Sequence, residues 1–375
     1  MGYVIYDTKY SMLLSQSLVE HASFKLDDNY EIPLVTVTRR GKTIQKYPYQ
    51  LRKTNGNVYY FFPPGTSVLS APFVALMNLA GISIISPDGS YNYQNEVIIQ
   101  HVIAALLMAA LACVFFMTAQ LFLPLGWSWF IALTSCFGTS ILSTATRALW
   151  SHTWSVFLLG IVIYLLVKLK QQAVSPILLA SLLSWMYFVR PTNSISIIVI
   201  TFYILWYHRS LFIRYIFTGI IWFALFVGYS LYHFDTFLPQ YFFPTRLSNP
   251  QSFLIPFIGH LISPSRGLLI FSPFFIMVAF LLWKYMYYLK EYTGLIFFSI
   301  LLILLHLYAI SNFSIWWAGH SYGYRFITDI VPWLVLLSIL SIYAFTTDLN
   351  NSDSFLLTPK RGFILTLSAI DIFPK

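Results

Sequence analysis

Charged residues are scarce in this chain. Of its 375 residues only 9% are Asp, Glu, Lys or Arg, whereas 58% are hydrophobic, and the mean hydropathy is +0.71. A soluble globular domain usually carries about 25% charged residues, so this composition cannot cover a water-exposed surface. The scarcity excludes an ordinary soluble domain and indicates an integral membrane protein. The 19% of aromatic residues fits this interpretation, because Trp and Tyr collect at headgroup depth.

Cysteine and nucleotide-binding signatures are also lacking. Cys113 and Cys136 both lie inside apolar runs, so we predict no disulfide framework and interpret both as small buried apolar residues. No convincing Gly-rich phosphate loop occurs. No short signal peptide is visible at the start, so we expect the spanning helices to direct insertion. The net charge of +9 is spread between apolar runs, which argues against a nucleic-acid-binding face.

From residue 96 onward, apolar runs alternate with short polar breaks. Runs of about 17 to 25 residues are long enough to cross a bilayer as helices. We therefore predict an all-α polytopic membrane protein with about nine to ten transmembrane helices, a helical domain over 96–345, and a cytoplasmic tail or truncated further helix over 346–375. The run 67–86 contains Pro72 and Gly81 and is either a span or an interfacial segment. The other spans are placed at 96–119, 125–145, 152–168, 173–189, 192–208, 213–231, 267–283, 293–311 and 327–345.

The polar segment 1–95 has a different pattern and is predicted to be a small α+β extracytoplasmic loop. Asp7 is followed by apolar residues at helical spacing, which favours an amphipathic helix that Asp7 caps and that lies on the membrane. Further along, Arg40-Gly41 and Asn55-Gly56 are turn signals of β-hairpins. The apolar residues of the helix are Tyr10, Leu13, Leu14 and Leu18.

The basic residues divide between alternate loops. Positive residues collect on the cytoplasmic side, so the side with more of them is predicted to be cytoplasmic, and the longer breaks at 232–266 and 312–326 to be outer loops. The cytoplasmic set is Lys168, Lys170, Arg209, Arg214, Lys284, Lys290, Lys360 and Arg361, and the outer set is Arg147, Arg190, Arg246, Arg266 and Arg325. Arginines without a dense set of carboxylate neighbours suit an anion such as phosphate. The alternative is that they snorkel or bind carbonyl groups at helix ends.

Four stretches, taken in order, resemble the GT-C class of membrane glycosyltransferases, which includes the protein mannosyltransferase and aminoarabinose transferase superfamily. They are residues 6–10 with the helix that follows, 59–65, 263–273 and 316–332. With Arg147, His152 and the Arg190-Pro191 pair, the resemblance covers nearly the whole chain. No single motif is as specific as a metal-binding CxxC pair. In the family a spanning helix precedes the catalytic Asp. This sequence departs from that pattern, because only six residues precede Asp7.

The resemblance implies an inverting enzyme that moves a hexosyl or pentosyl group from a polyprenyl-phosphate donor to a hydroxyl of a lipid, glycan or protein. The reaction would take place at the extracytoplasmic face of the plasma (inner) membrane. Such transfer needs a base for the acceptor and positive charge for the departing phosphate. Asp7 is the predicted base; the donor phosphate is assigned to Arg325, Arg266, Arg190 and His152; and substrate contacts are assigned to Tyr10, Tyr60, Trp317, His320 and Tyr322.

Simpler interpretations stay open for most of these residues. Asp7 is otherwise a helix cap, the histidines are otherwise structural, and the tryptophans are otherwise an interfacial belt. Asp329 is predicted to pair with Arg325 four residues earlier and to orient its guanidinium. If 67–86 spans, residues 1–66 are cytoplasmic and Asp7 cannot join the outer arginines.

The cofactor and the function class also have alternatives. The acidic cluster Asp27, Asp28 and Glu31 is either solvated loop charge or a set of oxygen ligands for a divalent cation. We assign no metal ligand and no certain cofactor, and a divalent cation stays open as the alternative. From another class, the alternative is a transporter or flippase of polyprenyl-linked glycans, although the inverted repeats common in transporters are not evident. A catalytically inactive truncated homologue is a third interpretation.

Overall fold

The computed structural model describes residues 7–39, 42–243, 253–319 and 323–355, and these are mostly helical. The helices are α1 (Ser11–His21), α2 (Gly65–Leu79), α3 (Tyr93–Gln120), α4 (Leu125–Phe137), α5 (Ser151–Lys168), α6 (Pro176–Val189), α7 (Ser194–Tyr207), α8 (Arg209–Phe234), α9 (Leu254–Ile262), α10 (Leu268–Phe271), α11 (Phe274–Lys284), α12 (Thr293–Ser311) and α13 (Val331–Phe355). Short 3-10 helices cover Pro191–Asn193, Gln240–Phe242, Met286–Tyr292 and Arg325–Ile330, and a π-helical turn covers Ile141–Ala145. The strands are β1 (Val35–Arg39), β2 (Lys42–Lys46), β3 (Leu51–Thr54) and β4 (Asn57–Tyr60).

Within the described ranges, five helical stretches are long and apolar enough to cross a membrane. They are Tyr93–Gln120, Ser151–Lys168, Arg209–Phe234, Met286–Ser311 and Arg325–Leu349. Five shorter apolar helices accompany them: Gly65–Leu79, Leu125–Phe137, Pro176–Val189, Pro191–Tyr207 and Phe274–Lys284. This is the character of a helical membrane protein, as the composition indicated, while the count of nine to ten spans stays a prediction.

Burial differs strongly between the long helices. Within an 18-residue apolar stretch of Arg325–Leu349, 78% of the residues are buried, whereas in the corresponding stretch of Arg209–Phe234 only 11% are buried. Exposed side chains of α8 such as Ile213 and Phe217 would cost about 25 cal/mol per Å² in water, so this face suits hydrocarbon. The cysteines, both expected to be buried, differ in the same way: Cys136 is buried and Cys113 is exposed. The core is therefore built around α13, and α8 lies at the periphery.

Two helices that were predicted as continuous are broken. The predicted span 125–145 ends as an α-helix at Phe137 and continues in a π-helical turn, and 267–283 is interrupted at Ser272-Pro273, where proline has no N–H to donate. The breaks face each other, because the Ser272 hydroxyl donates to the carbonyl of Gly138 at 2.7 Å. The Tyr324 hydroxyl contacts Ser272 and accepts from the Ser140 N–H. These irregular segments therefore fix the chain immediately before Arg325.

The leading segment forms the predicted helix and hairpins. Strands β3 and β4 pair from Leu51 with Tyr60 to Thr54 with Asn57, and Asn55 and Gly56 both have positive φ, as a two-residue hairpin turn requires. Strands β1 and β2 also pair antiparallel, and the Arg40-Gly41 turn lies outside the described residues. The helix α1 does not lie with one face open, since residues 11–17 are all buried.

Candidate functional site

The first and last parts of the chain meet at an ion pair. The Arg325 Nη2 atom lies 3.1 Å from the Asp7 Oδ2 atom, although 318 positions separate the two residues. The Tyr49 hydroxyl donates to Asp7 Oδ1 at 2.9 Å, and the Tyr60 hydroxyl donates to the Asp7 carbonyl at 3.1 Å. The side chains of Asp7 and Arg325 are 38% and 17% exposed. The pair is therefore partly open and can be reached by a ligand.

The backbone next to Asp7 is fixed by α3. Glu96, in the first turn of α3, accepts the N–H groups of Tyr10 at 3.0 Å and Met12 at 2.9 Å. The Gln100 side chain donates to the Thr8 carbonyl at 3.0 Å. A carboxylate at a helix N-terminus satisfies N–H groups that have no partner inside the helix. The prediction that Asp7 caps α1 is wrong, because Glu96 does so, and the Asp7 carboxylate is left to Arg325 and Tyr49.

Sequence reasoning missed Glu96. The sequence did carry a signal, because Glu96 is a single carboxylate at the start of an apolar run of spanning length. Ionisable residues in such runs usually have a functional or structural role. The side chain is fully buried and also accepts from the Tyr91 hydroxyl. Glu96 therefore belongs to the site as the group that anchors the Asp7 segment.

Behind Arg325 lies a series of buried polar side chains linked by hydrogen bonds. The Arg325 guanidinium stacks on Trp150, with its carbon 3.3 Å from the ring centroid, and its Nε donates to His152 Nε2 at 3.5 Å. His152 Nδ1 lies 2.8 Å from Asp329 Oδ1. An Nε2 that accepts from arginine implies that the proton is on Nδ1, which then donates to Asp329. In this tautomer His152 is neutral and links Arg325 to Asp329.

Asp329 forms its ion pair with Arg190. The Arg190 Nε donates to Asp329 Oδ2 at 2.6 Å, and the Thr192 hydroxyl adds a longer contact at 3.4 Å. The expected pair with Arg325 assumed an α-helix, in which residues four apart share a face. Arg325 and Asp329 instead lie on a 3-10 helix, where positions four apart point about 120° from each other. Asp329 thus reaches Arg190 and His152, and Arg325 is left for Asp7.

Local sequence explains where these side chains emerge. Arg190 follows the end of α6 in an extended conformation, which a residue before proline prefers, and Pro191 starts a 3-10 turn. Trp150 is extended immediately before α5, and His152 is the second residue of that helix. Arg190, Trp150 and His152 therefore all stand at the ends of helices.

The tyrosines at Asp7 are neutral donors. Burial, followed by the adjacent Asp7 carboxylate, raises the pKa of Tyr49 well above its ordinary value. Burial also raises the pKa of Tyr60, with Glu96 and Asp7 contributing. Both hydroxyls keep their protons at neutral pH and hold Asp7 by hydrogen bonds. The Asp7 and Asp329 carboxylates pair with the Arg325 and Arg190 guanidinium groups, and the third carboxyl group of the site, Glu96, is held by backbone N–H groups.

The other predicted residues that the structure describes, Arg266, Tyr10 and Trp317, have surroundings of their own. The Arg266 Nη2 donates to the Gly319 carbonyl at 2.7 Å, in the segment that leads to Arg325. Tyr10 is 1% exposed, and its ring is tilted against that of Tyr91 with centroids 4.7 Å apart, whereas Trp317 is 44% exposed. His320 and Tyr322 lie outside the described residues. Substrate contact by any of these residues stays a prediction.

Two of the three carboxylates of the acidic cluster, Asp27 and Asp28, have protein contacts. The Asp27 carboxylate accepts from the Val58 N–H at 2.7 Å, and Asp28 lies 4.0 Å from Lys25. In the part of the chain that the structure describes, no group of three or more His, Cys, Asp or Glu side chains is arranged to hold a metal ion.

Comparison with protein-family models, curated proteins and solved structures found no match for this chain.

Proposed function

We propose that this chain is a membrane glycosyltransferase that uses a polyprenyl-phosphate-linked sugar. The observation that carries the proposal is the Asp7–Arg325 ion pair, a partly exposed carboxylate and guanidinium backed by the series of buried polar side chains. A carboxylate and an adjacent cation are the two groups that transfer from a phosphate leaving group requires. The resemblance to the GT-C class supplies the substrate class.

In the proposed reaction the donor phosphate replaces Asp7 on Arg325. Guanidinium binds phosphate through parallel N–H donors, as it binds a carboxylate, so the exchange keeps the Arg325 charge paired. The released Asp7 carboxylate then accepts the proton of the acceptor hydroxyl. The acceptor oxygen attacks the anomeric carbon from the face opposite the phosphate, the bond between that carbon and the phosphate oxygen breaks, and polyprenyl phosphate leaves with the bonding electrons. The result is inversion at the anomeric carbon.

The buried residues hold Arg325 for this exchange. Trp150 stacks on one face of its guanidinium, and His152 accepts from its Nε, which leaves the terminal nitrogens directed at Asp7 or a phosphate. Arg190 is engaged by Asp329, so in this proposal it positions Asp329 and His152. Direct contact of Arg190 or His152 with the phosphate stays a prediction.

We further propose that the site faces the extracytoplasmic side of the plasma membrane. His152 and Lys168 lie at opposite ends of α5, 16 positions apart, which is about 24 Å at 1.5 Å per residue. That distance approaches the thickness of the hydrocarbon core, about 30 Å. Lys168 is one of the basic residues assigned above to the cytoplasmic side. The other end of α5, and the site with it, therefore lie outside.

The test is transfer by membranes that contain the chain, supplied with radiolabelled polyprenyl-phosphate sugars. Asp7→Asn keeps the size of the side chain and removes the proton acceptor, so we expect transfer to fall by about 10² to 10⁴. Asp28→Asn is the control, because it removes a carboxylate from the same segment at a side chain that is 53% exposed. Full transfer by Asp7→Asn would remove Asp7 from the mechanism. Movement of intact donor across the membrane without cleavage would identify a transporter instead.

A further inference from the structure

An aromatic cleft lies beside the ion pair and is not used by the mechanism above. Its volume is about 410 Å³, within the range of small-molecule sites. The β3–β4 hairpin with its exit towards α2 forms one wall, and residues 229–243 form the other. The Asn55 side chain at the hairpin tip donates to Asp235 at 2.6 Å, which joins the two walls at one end.

The floor and walls of the cleft are aromatic rings. Tyr59 and Phe234 are adjacent in its lining and in contact, with ring centroids 5.0 Å apart. Phe61 and Phe62 also line it, and both contact Tyr241. Flat rings with exposed faces pack against flat apolar surfaces of a ligand. The rim is polar, with Arg52, Thr236 and Gln240 all exposed. An aromatic floor with hydrogen-bonding groups around it matches a sugar ring, which has apolar C–H faces and hydroxyls at its edge.

The cleft connects to Asp7 through two of its wall residues. Tyr60 donates its hydroxyl hydrogen to the Asp7 carbonyl. The Phe62 ring lies 6.3 Å edge-on from Tyr49, and the Tyr49 hydroxyl donates to the Asp7 carboxylate. A ligand in the cleft is therefore separated from Asp7 by single side chains.

Arg52 gives the cleft a charge preference. Its side chain is exposed at the rim, and no carboxylate of the described residues lies within ion-pair distance of it. The polar hairpin that carries Arg52 favours a water-soluble ligand over a prenyl chain. A planar guanidinium binds carboxylate and phosphate alike.

We propose that the aromatic cleft binds the acceptor as a saccharide that carries an anionic group, with the rings packed on the sugar and Arg52 on the anion. Its assignment to the acceptor rests on the glycosyl transfer proposed above, whereas saccharide binding does not. The two are separated by measuring binding directly, without turnover.

The experiment uses the chain in lipid nanodiscs and saturation-transfer NMR, with cellobiose, cellobiouronic acid and a cellobiose phosphate as probes. Each probe is added at up to about 10 mM, a concentration suited to sites with millimolar Kd. We expect both anionic probes to have a lower Kd than cellobiose. Arg52→Gln should weaken the anionic probes about fivefold to tenfold and leave cellobiose unchanged. A preference between the two anionic probes then distinguishes a uronate acceptor from a phosphorylated one.

Two further variants keep the test decisive. Lys53→Gln is the matched control, because adjacent strand residues point to opposite faces and Lys53 does not line the cleft. Phe234→Leu should weaken all three probes alike, since it removes a ring and not a charge. The proposal would be overturned if charged and neutral probes bound equally, if Arg52→Gln had no effect, or if no saccharide bound. It would also be overturned if farnesyl phosphate, which has no sugar, displaced the probes. Intact saccharide binding without any glycosyl transfer would overturn the proposed reaction and keep the binding site.

Discussion

Replacing Asp329 by Asn is expected to destabilise the fold strongly. The Asp329 side chain is 2% exposed and accepts from Arg190 at 2.6 Å and His152 at 2.8 Å. Asn keeps the shape but has one oxygen, so its amide N–H₂ must face one of these donors. Arg190, 10% exposed, would also keep a buried charge without its partner. Breaking a buried ion pair in this way costs about 3–5 kcal/mol.

The assay is the free energy of unfolding of the purified chain, from SDS titration in mixed micelles. Asp7→Asn removes the corresponding charge from the more exposed pair and should cost at most about 1 kcal/mol. Adding Arg190→Met to Asp329→Asn should lower the cost below the sum of the two single changes by at least about 1 kcal/mol. A cost under about 1 kcal/mol for Asp329→Asn, or strict additivity, would refute the role given to the buried pair.

Two further predictions concern packing and pH. A Cβ on Gly65 would lie 2.5 Å from the backbone of Phe188, so Gly65→Ala should cost about 1–3 kcal/mol in the same titration. Gly126→Ala on α4 meets nothing within 4 Å and should be neutral or slightly stabilising. Burial lowers the pKa of His260 to about 4, so the unfolded chain binds the extra proton between about pH 6.5 and 4. Stability should therefore fall as pH falls through that window, and the fall should be smaller in His260→Gln; an unchanged pH profile would contradict this.

The elements set by local patterns were predictable. The membrane character follows from apolar runs of spanning length, and the β3–β4 hairpin follows from Asn55-Gly56, because positive φ at both turn positions is a local requirement. The breaks at Phe137 and Ser272 were not predictable from hydropathy. Both interrupted segments remain apolar in sequence, and their irregular backbone is stabilised by Tyr324, which is distant along the chain.

The grouping of Asp7 with residues much later in the chain was expected, whereas their individual contacts were not. Asp7, Arg325, Arg190, His152 and Asp329 do lie close together, but their partners depended on the backbone. The cap of α1 went to Glu96 because a carboxylate from α3 reaches N–H groups that Asp7 does not. Asp329 paired with Arg190 because the chain around it is a 3-10 helix.

The sequence by itself therefore determined the environment of this protein and the kinds of groups at its helix ends, since transfer free energy and turn geometry act within a short stretch of chain. Only the tertiary structure decided which charge meets which. Ion pairing depends on distances of a few ångströms between residues up to 318 positions apart, and only the packing of the helices sets those distances.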